Sequence, residues 1–461
     1  MTQSPALHAL VSRRSVLSSS ILLTESFLRL GLVALVSFWI AHQLGPAQFG
    51  VLNYASALVM VWLSIATLGL DTPVVLRLSQ NKVACEDAAV LGSALVLRLL
   101  AGGVCALAVC ASAWFLRGGD GLTLTVAAIA ALSVPLAAPA VLDCWFKAHN
   151  QALRPAAARL CATLLSCAVK VGCLVLGLGV VALAWTVTLE ALFMAAALAW
   201  AYLHATRTNG APALVAQWPL MRSLLKDSGP YVLSIAAIAA YMKVDIVLLG
   251  VLASDTEVGI YSLCQKLSEV LYILPVVVVD VLYPQLVRHQ SGVASSLSSL
   301  SPLSAEGAGT TTQTFFDATL AVALLGTALA IVLASWLVPL LFGEPYRRSA
   351  EIFQVHAWSC IGIASAHARY KWMAAAGLQR LAPAVTGIGL VLAVMLNLLL
   401  IPQWGGLGAA VATVTAYALS GHAASYMFPA LRDVAAMQTR ALWPWMRLAR
   451  EFRRASQREQ P

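Results

Sequence analysis

The sequence predicts an all-α polytopic membrane protein, with twelve transmembrane helices in two parallel six-helix repeats around a central cavity. Three observations predict it. Of 461 residues, 60% are hydrophobic and only 11% are charged, whereas soluble domains carry roughly 25% charged residues. So few charges cannot cover the surface of a water-soluble chain of this length. The apolar residues fall into runs of about 20, the length that crosses a bilayer as a helix. A weak internal repeat divides these runs into two sets of six.

The runs are read at 18–42, 48–70, 88–115, 122–144, 160–178, 180–203, 229–252, 256–282, 315–342, 351–374, 382–401 and 405–428. Tight Pro- and Gly-rich turns join several of them: LGPAQ (44–48), GLG (177–179), ASDT (253–256) and PQWGG (402–406). Orientation follows from Lys and Arg, which gather on the cytoplasmic side. With the N-terminus inside, the inner loops hold twelve, among them Arg77, Arg154, Arg159, Arg207 and Arg288, and the tail after 430 adds seven arginines. The outer turns hold only Arg117, Arg347 and Arg348. Both termini are therefore expected in the cytoplasm, and the net charge of +9 is read as a membrane-side signal rather than a nucleic-acid one.

The predicted organisation is a cytoplasmic N-terminus (1–17), an N-terminal lobe (18–205), an inter-lobe linker (206–228), a C-terminal lobe (229–430) and a basic cytoplasmic tail (431–461). The C-terminal lobe carries a cytoplasmic loop at 285–314, Ser/Gly/Thr-rich over 291–312 and read as flexible. In the tail, LWPWMRLAREFRRAS (442–456) alternates Trp443, Trp445, Leu448 and Phe452 with arginines, the pattern of an interfacial helix on anionic lipid or of a solvated basic tail. No cleavable signal peptide is read at the N-terminus. The nine cysteines form no CxxC or metal-like cluster and are read as small packing residues.

The repeat rests on four ordered matches. FGVLNYASAL (49–58) matches VGIYSLCQKL (258–267), and Arg77 matches Arg288. Trp145 followed by Pro155 matches Trp372 followed by Pro383. KVGCLVLGLGVVALAWTVTLEA (170–191) matches NLLLIPQWGGLGAAVATVTAYA (397–418) through Gly-Leu-Gly at 177–179 and 406–408. The offset grows between the early and late matches, and the Ser-rich segment supplies the difference as an insertion. An even number of spans per half makes the repeats parallel, the arrangement in which transporters bind substrate at the repeat interface near the midplane.

Several segments resemble the Wzx-type polysaccharide flippases. LGPAQFGVLNYASALV (44–59) resembles that family's LGPxxFGxYxxA hairpin, although His42-Gln43 stand where an arginine usually precedes it. FGEPYRRSAEIFQVHAW (342–358), DIVLLGVLASDTEVGIYSLCQKL (245–267) and the NLLLIPxxGxxGAA pattern at 397–410 are similar to further family segments. The resemblance runs from about residue 20 to 430 and places the chain in the multidrug/oligosaccharidyl-lipid/polysaccharide exporter superfamily. It implies two six-helix bundles rocking around a central cavity. The implied cargo is an undecaprenyl-pyrophosphate-linked oligosaccharide, moved from the cytoplasmic to the periplasmic leaflet of a bacterial inner membrane. It implies an H⁺ or Na⁺ gradient as the driving force and no cofactor; no Walker A motif occurs in the chain. A polysaccharide polymerase and a chain-length regulator are the implied protein partners.

Ionisable residues inside the spans are the candidate site, because each costs about 2.5–3.5 kcal/mol at a helix centre. They are Glu25, Arg29, Arg98, Lys170, Glu190, Lys243, Asp245, Lys266, Glu269 and Asp280. Glu25 and Arg29, and Lys266 and Glu269, are spaced to share a helix face. Lys243 and Asp245 point about 200° apart and need different surroundings. An anionic pyrophosphate calls for cationic side chains, so Arg29, Lys243 and Lys266 are expected to meet the head group. Arg98 and Lys170 follow as further contacts. Asp245 and Glu25 are the candidates for ion coupling. Arg77 and Arg288 are candidates for a cationic ring at the cytoplasmic mouth, or for ordinary anchoring, and Trp145 and Trp372 are read as interfacial belt residues.

Three other readings compete. A multidrug/cation exporter of the same superfamily would favour an acidic cavity. A membrane glycan ligase or glycosyltransferase would need a large external loop, and the longest outer segment, 343–350, has about eight residues. A lipid II flippase resembles the chain in fold but has more spans than the twelve read here.

Overall fold

A computed structural model describes residues 5–80, 84–149, 151, 153–207, 214–296 and 303–443. Of the described residues 92% are helical and none lies in a strand, which makes the fold all-α. Nine helical stretches among them are long and apolar enough to cross a membrane. The first, Leu28–Gln80, is long enough for more than one crossing and is broken at Gly45. The runs read at 351–374 and 405–428 are each divided into shorter helices. The chain separates into two compact units, Met1–Lys243 and Val244–Pro461.

The first unit contains α1 (Pro5–Ala66), α2 (Asp71–Gln80), α3 (Ala84–Arg117), α4 (Gly121–Ala131), α5 (Ser133–Leu136), α6 (Leu142–Ala148), α7 (Leu153–Val175), α8 (Val180–Arg207) and most of α9 (Trp218–Leu252). The N-terminal segment 5–17 and the last part of the expected linker, from Trp218, are thus helical. Asp120 caps α4 by accepting from the Leu122 amide and the Thr123 hydroxyl, and the Thr123 bond holds its carboxyl below the ordinary value. The core of this unit joins Leu70, Val74, Leu91, Phe146, Tyr202 and Leu224. The described residues just before α9 are pinned down: the Gln217 amide donates to Ser93 Oγ at 3.0 Å, and Gly92 lies so close to Val215 that a Cβ would stand 2.6 Å from its carbonyl oxygen.

The second unit contains the end of α9 with α10 (Asp255–Ser296), α11 (Leu303–Phe342), α12 (Arg347–His356), α13 (Ser359–Ala375), α14 (Ala382–Trp404), α15 (Gly406–Ala418), α16 (Ala424–Met427) and α17 (Arg432–Ala441). Helices α10 and α11 run on into the 285–314 segment expected to be flexible. A long membrane helix is already nucleated and extends through any residues that do not stop it. The interfacial helix expected around Trp445, Leu448 and Phe452 lies outside the described residues. Between α15 and α16 the chain forms one π-helical stretch, Leu419–Ala423. There Gly421 faces Gly362 of α13 backbone to backbone, the close approach that small residues permit.

The exterior is apolar, as hydrocarbon requires: Phe115 is 78% exposed, and Leu107, Leu325, Trp200 and Trp336 are exposed with it. Trp145, expected at the membrane interface, is instead a core residue, while Trp372 stays half-buried. Trp145 is buried against Phe146 and Tyr202 and stacks on His149, and Trp372 packs partly buried on two core clusters. Both mark a shared turn. The Gln151 amide donates to the Phe146 carbonyl and the Leu378 amide to the Met373 carbonyl, both at 2.8 Å, at equivalent positions after the two tryptophans. Within the 49–58 and 258–267 segments, matched positions are buried in both, among them Phe49 and Val258, Val51 and Ile260, and Ala55 and Cys264. Among the cysteines, Cys105, Cys144, Cys167, Cys264 and Cys360 are buried, while Cys161 is exposed.

Candidate functional site

Lys243 and Asp245 interrupt an apolar stretch of α9, and they end in different environments. Lys243 is half-buried; Asp245 is sealed, 3% exposed. One Asp245 oxygen accepts from the Tyr261 hydroxyl at 2.6 Å and from Gln265 Nε2 at 3.4 Å, and the other from the Ile246 amide at 2.8 Å. Tyr261, wholly buried, shares a second hydrogen bond of 3.2 Å with the Thr413 hydroxyl on α15. A buried carboxylate is tolerated only with such donors. The polar chain continues beside it. The Tyr261 ring meets His356 edge-on, and His356 Nδ1 lies 2.8 Å from Ser268 Oγ. The Ser359 hydroxyl donates to the His356 carbonyl at 2.5 Å and lies 2.6 Å from the Tyr272 hydroxyl.

In the first unit the expected cations are matched by acids. Arg29 Nε lies 3.4 Å from Glu25 on the same helix face, with the Arg29 side chain 35% exposed. Lys170 Nζ reaches Glu190 at 2.5 Å, and Ser166 donates to the same oxygen at 3.1 Å. Arg98 is 4% exposed and pairs at 3.0 Å with Asp71 at the start of α2. A guanidinium that far from water needs a local counter-charge, and α2 supplies it. Arg98 and Lys170 therefore stand in the fold as halves of ion pairs. Arg77 is bonded to Ser223 at 2.6 Å and to Asp227, both on α9, whereas Arg288 is exposed; the two do not share one kind of environment. In the second unit Lys266 is half-buried, Glu269 exposed, and Asp280 paired with Lys371 at 2.8 Å.

The quoted sequence segments of the second unit converge on one side chain. Glu257, in the first turn of α10, pairs with Arg348 of FGEPYRRSAE. Its other oxygen accepts the Gly406 amide at 2.8 Å, at the start of α15 in the IPQWGGLGAA segment. Ser349 adds a 2.9 Å bond to the Ile260 carbonyl. A carboxylate at a helix N-terminus satisfies an amide that has no partner within the helix. The glycine that needs special backbone here is Gly405 (φ +56°), so the structural counterpart of Gly177 (φ +64°) is Gly405 rather than Gly406.

With this geometry, the sequence from 16 to 290 matches the family described as polysaccharide biosynthesis protein. The chain belongs to that family. No curated protein matches it in a sequence comparison. Among solved structures this polysaccharide biosynthesis protein is similar to the lipid II flippase MurJ in an inward closed conformation, with a TM-score of 0.70 at 13% identity, covering 92% of this chain and 90% of that one. It is similar as well to an inward-facing multidrug resistance MATE family transporter of the MOP superfamily: TM-score 0.63, 11% identity, 88% and 95% covered. A third is a MOP superfamily transporter from Pyrococcus furiosus described as having a binding pocket of reverse polarity, with TM-score 0.54, 13% identity, 90% and 93% covered. The fold is thus that of the MOP transporters, and the family member is a multi-pass membrane protein.

Sequence reasoning missed one buried cation in this fold. Arg369 of α13 is 6% exposed and donates to the Ser420 and Gly421 carbonyls at 2.8 and 2.9 Å and to Ser425 Oγ at 2.9 Å. The π-helical stretch takes those carbonyls out of the regular ladder, and the guanidinium satisfies them. Gln438 of α17 joins, donating to the Gly421 carbonyl at 3.1 Å and to Ser365 Oγ at 2.8 Å. The available signal was His367, Arg369 and Lys371 at alternate positions within one apolar run.

Proposed function

We propose that this protein is a flippase for an undecaprenyl-pyrophosphate-linked oligosaccharide, carrying it from the cytoplasmic to the periplasmic leaflet of a bacterial inner membrane. It works by alternating access, with both termini in the cytoplasm and an H⁺ or Na⁺ gradient as the driving force. The observation that carries the reading is the contrast within α9. The acid, Asp245, is sealed among hydrogen-bond donors, while the cation two residues away, Lys243, keeps partial exposure. That is the sign expected for an anionic cargo, and it disfavours a cationic drug, whose carrier would present the acid. Lys243, Lys266 and Arg29 are the head-group contacts; Lys170 and Arg98 serve the fold first, through their acids. Asp245 is favoured over Glu25 for coupling, because Glu25 already faces Arg29, whereas Asp245 accepts from the Tyr261 hydroxyl, Gln265 and the Ile246 amide, donors that can yield to a proton or a small cation. Arg77 and Arg288 act as separate contacts at the cytoplasmic side, and a polymerase and chain-length regulator receive the product.

The test is complementation of flippase-deficient bacterial strains, each lacking export of one defined glycan, with the wild-type chain and Lys243→Ala. Surface polymer restored by the wild type in one strain and lost with Lys243→Ala is the expected result. Rescue of none, with drug resistance conferred instead, overturns the proposal in favour of a multidrug exporter.

A further inference from the structure

Asp280 lies toward the C-terminal end of α10, a helix that runs unbroken from Asp255 to Ser296. Counted along a regular helix, it falls within about 40° of Lys266 and about 21 Å away along the axis, with Pro275 inside the interval. Opposite, on α13, His367 and Lys371 stand one turn apart. Both address the same Asp280 oxygen, Lys371 Nζ at 2.8 Å and His367 Nε2 at 3.9 Å. The Lys371 ammonium also sits 5.1 Å from the centre of the Tyr283 ring, a cation–π contact that fixes its direction. The side chains are 28–35% exposed. Neither partner is sealed as Arg98 is in its pair with Asp71, and the exposed residues of the same helices include Leu274, Val281 and Tyr370.

One ammonium in ion-pair contact with a carboxylate oxygen, and a buried imidazole nitrogen 3.9 Å from the same oxygen with no hydrogen bond of its own, leave a donor to spare for a phosphate oxygen. Lysine binds phosphate as a point charge, and an imidazole offers its ring N–H, with both nitrogens donors when protonated. Asp280 supplies from within the chain the anion such a site would otherwise draw from a ligand. We propose that Lys371 and His367 form an anion subsite for the pyrophosphate of the lipid-linked cargo, with Asp280 as its resident counter-anion, displaced when phosphate arrives. The exchange needs no bare intermediate. One anion leaves as another enters, so the Lys371 ammonium is never uncompensated in a medium of low dielectric. A pyrophosphate carries more charge than a carboxylate and prevails while it is present; Asp280 returns when it departs, which keeps the empty subsite from trapping bulk anions. This inference rests on the flippase reading above. It adds a second cationic station to the one already placed at Lys266.

The experiment is a titration of the purified full-length protein in lipid nanodiscs, followed by native mass spectrometry. The probes are undecaprenyl pyrophosphate and, separately, phosphatidylglycerol. Lys371→Gln is expected to weaken undecaprenyl pyrophosphate binding about tenfold, the loss of one charge-assisted hydrogen bond. Asp280→Asn, which removes the competitor, is expected to tighten it severalfold, and Lys371→Arg to restore most of the affinity. Opposite signs for the two variants cannot come from impaired folding, which would weaken both. The inference is overturned if Asp280→Asn and Lys371→Gln shift binding in the same direction, or if both leave it within twofold of wild type. It is overturned equally if phosphatidylglycerol binding changes as much as undecaprenyl pyrophosphate binding, which would mark a general lipid site. A wild-type chain that binds no undecaprenyl pyrophosphate and rescues no strain refutes the flippase reading and this inference together. A wild type that binds and rescues, with variants that do not differ, refutes this inference alone.

Discussion

Gly405→Ala should be among the most damaging single-methyl additions in the second unit. Gly405 adopts φ +56° and ψ −130°, a conformation open in practice to glycine alone, and a side chain held there costs about 1–3 kcal/mol. The added Cβ would also stand 2.7 Å from Glu257 Oε2. That oxygen receives the Gly406 amide at 2.8 Å, and moving it forfeits a charge-assisted hydrogen bond of about 1.5–3 kcal/mol. Together the two effects amount to about 2.5–6 kcal/mol. At about 2–4 °C per kcal/mol for a domain of this size, the thermal midpoint of the detergent-solubilised protein should fall by about 5–24 °C, read by scanning fluorimetry. Gly406→Ala is the control. Its Cβ would meet the flexible Ile352 Cδ1 at 3.0 Å and press less closely on Glu257 Oε2, at 3.1 Å, with no positive φ to strain, so a smaller loss of about 1–2 kcal/mol is expected. Equal shifts for the two variants, or a Gly405→Ala midpoint within about 2 °C of wild type, would show that neither the backbone strain nor the Glu257 contact operates as described.

Asp71→Asn leaves Arg98 buried without its counter-charge and should destabilise the first unit by about 3–5 kcal/mol, while Arg98→Met with Asp71→Asn recovers most of that loss in chemical denaturation and keeps transport; transport abolished in a stable double variant would return Arg98 to the cargo path. Arg369→Gln strips donors from the Ser420 and Gly421 carbonyls and should cost about 2–4 kcal/mol of thermal stability, and limited proteolysis should then release α17 sooner than in wild type; unchanged cleavage would separate Arg369 from the docking of α17. Asp245→Asn keeps an oxygen to accept from Tyr261, so its thermal midpoint should stay within about 5 °C of wild type while the dependence of transport on the ion gradient is lost; gradient-dependent transport persisting in this variant would remove Asp245 from coupling.

Composition and run length alone determined that this chain is a helical membrane protein, because hydrocarbon leaves the backbone few ways to satisfy its amides. The order of motifs along the chain was enough to relate it to the polysaccharide exporters. The geometry of a single helix foretold that Glu25 would lie beside Arg29 and that Lys243 and Asp245 would part company. What only the tertiary structure decided was which charges find counter-charges. Arg98 meets Asp71, Lys170 meets Glu190, and Arg369 meets backbone carbonyls that a π-helical stretch sets free. In each case the partner comes from a different helix and the pairing depends on how the two cross, a relation that leaves no spacing in the sequence. The same holds for Trp145 and Trp372, whose burial depends on neighbours many residues away. Local periodicity sets which face a residue occupies, and only packing sets what that face meets.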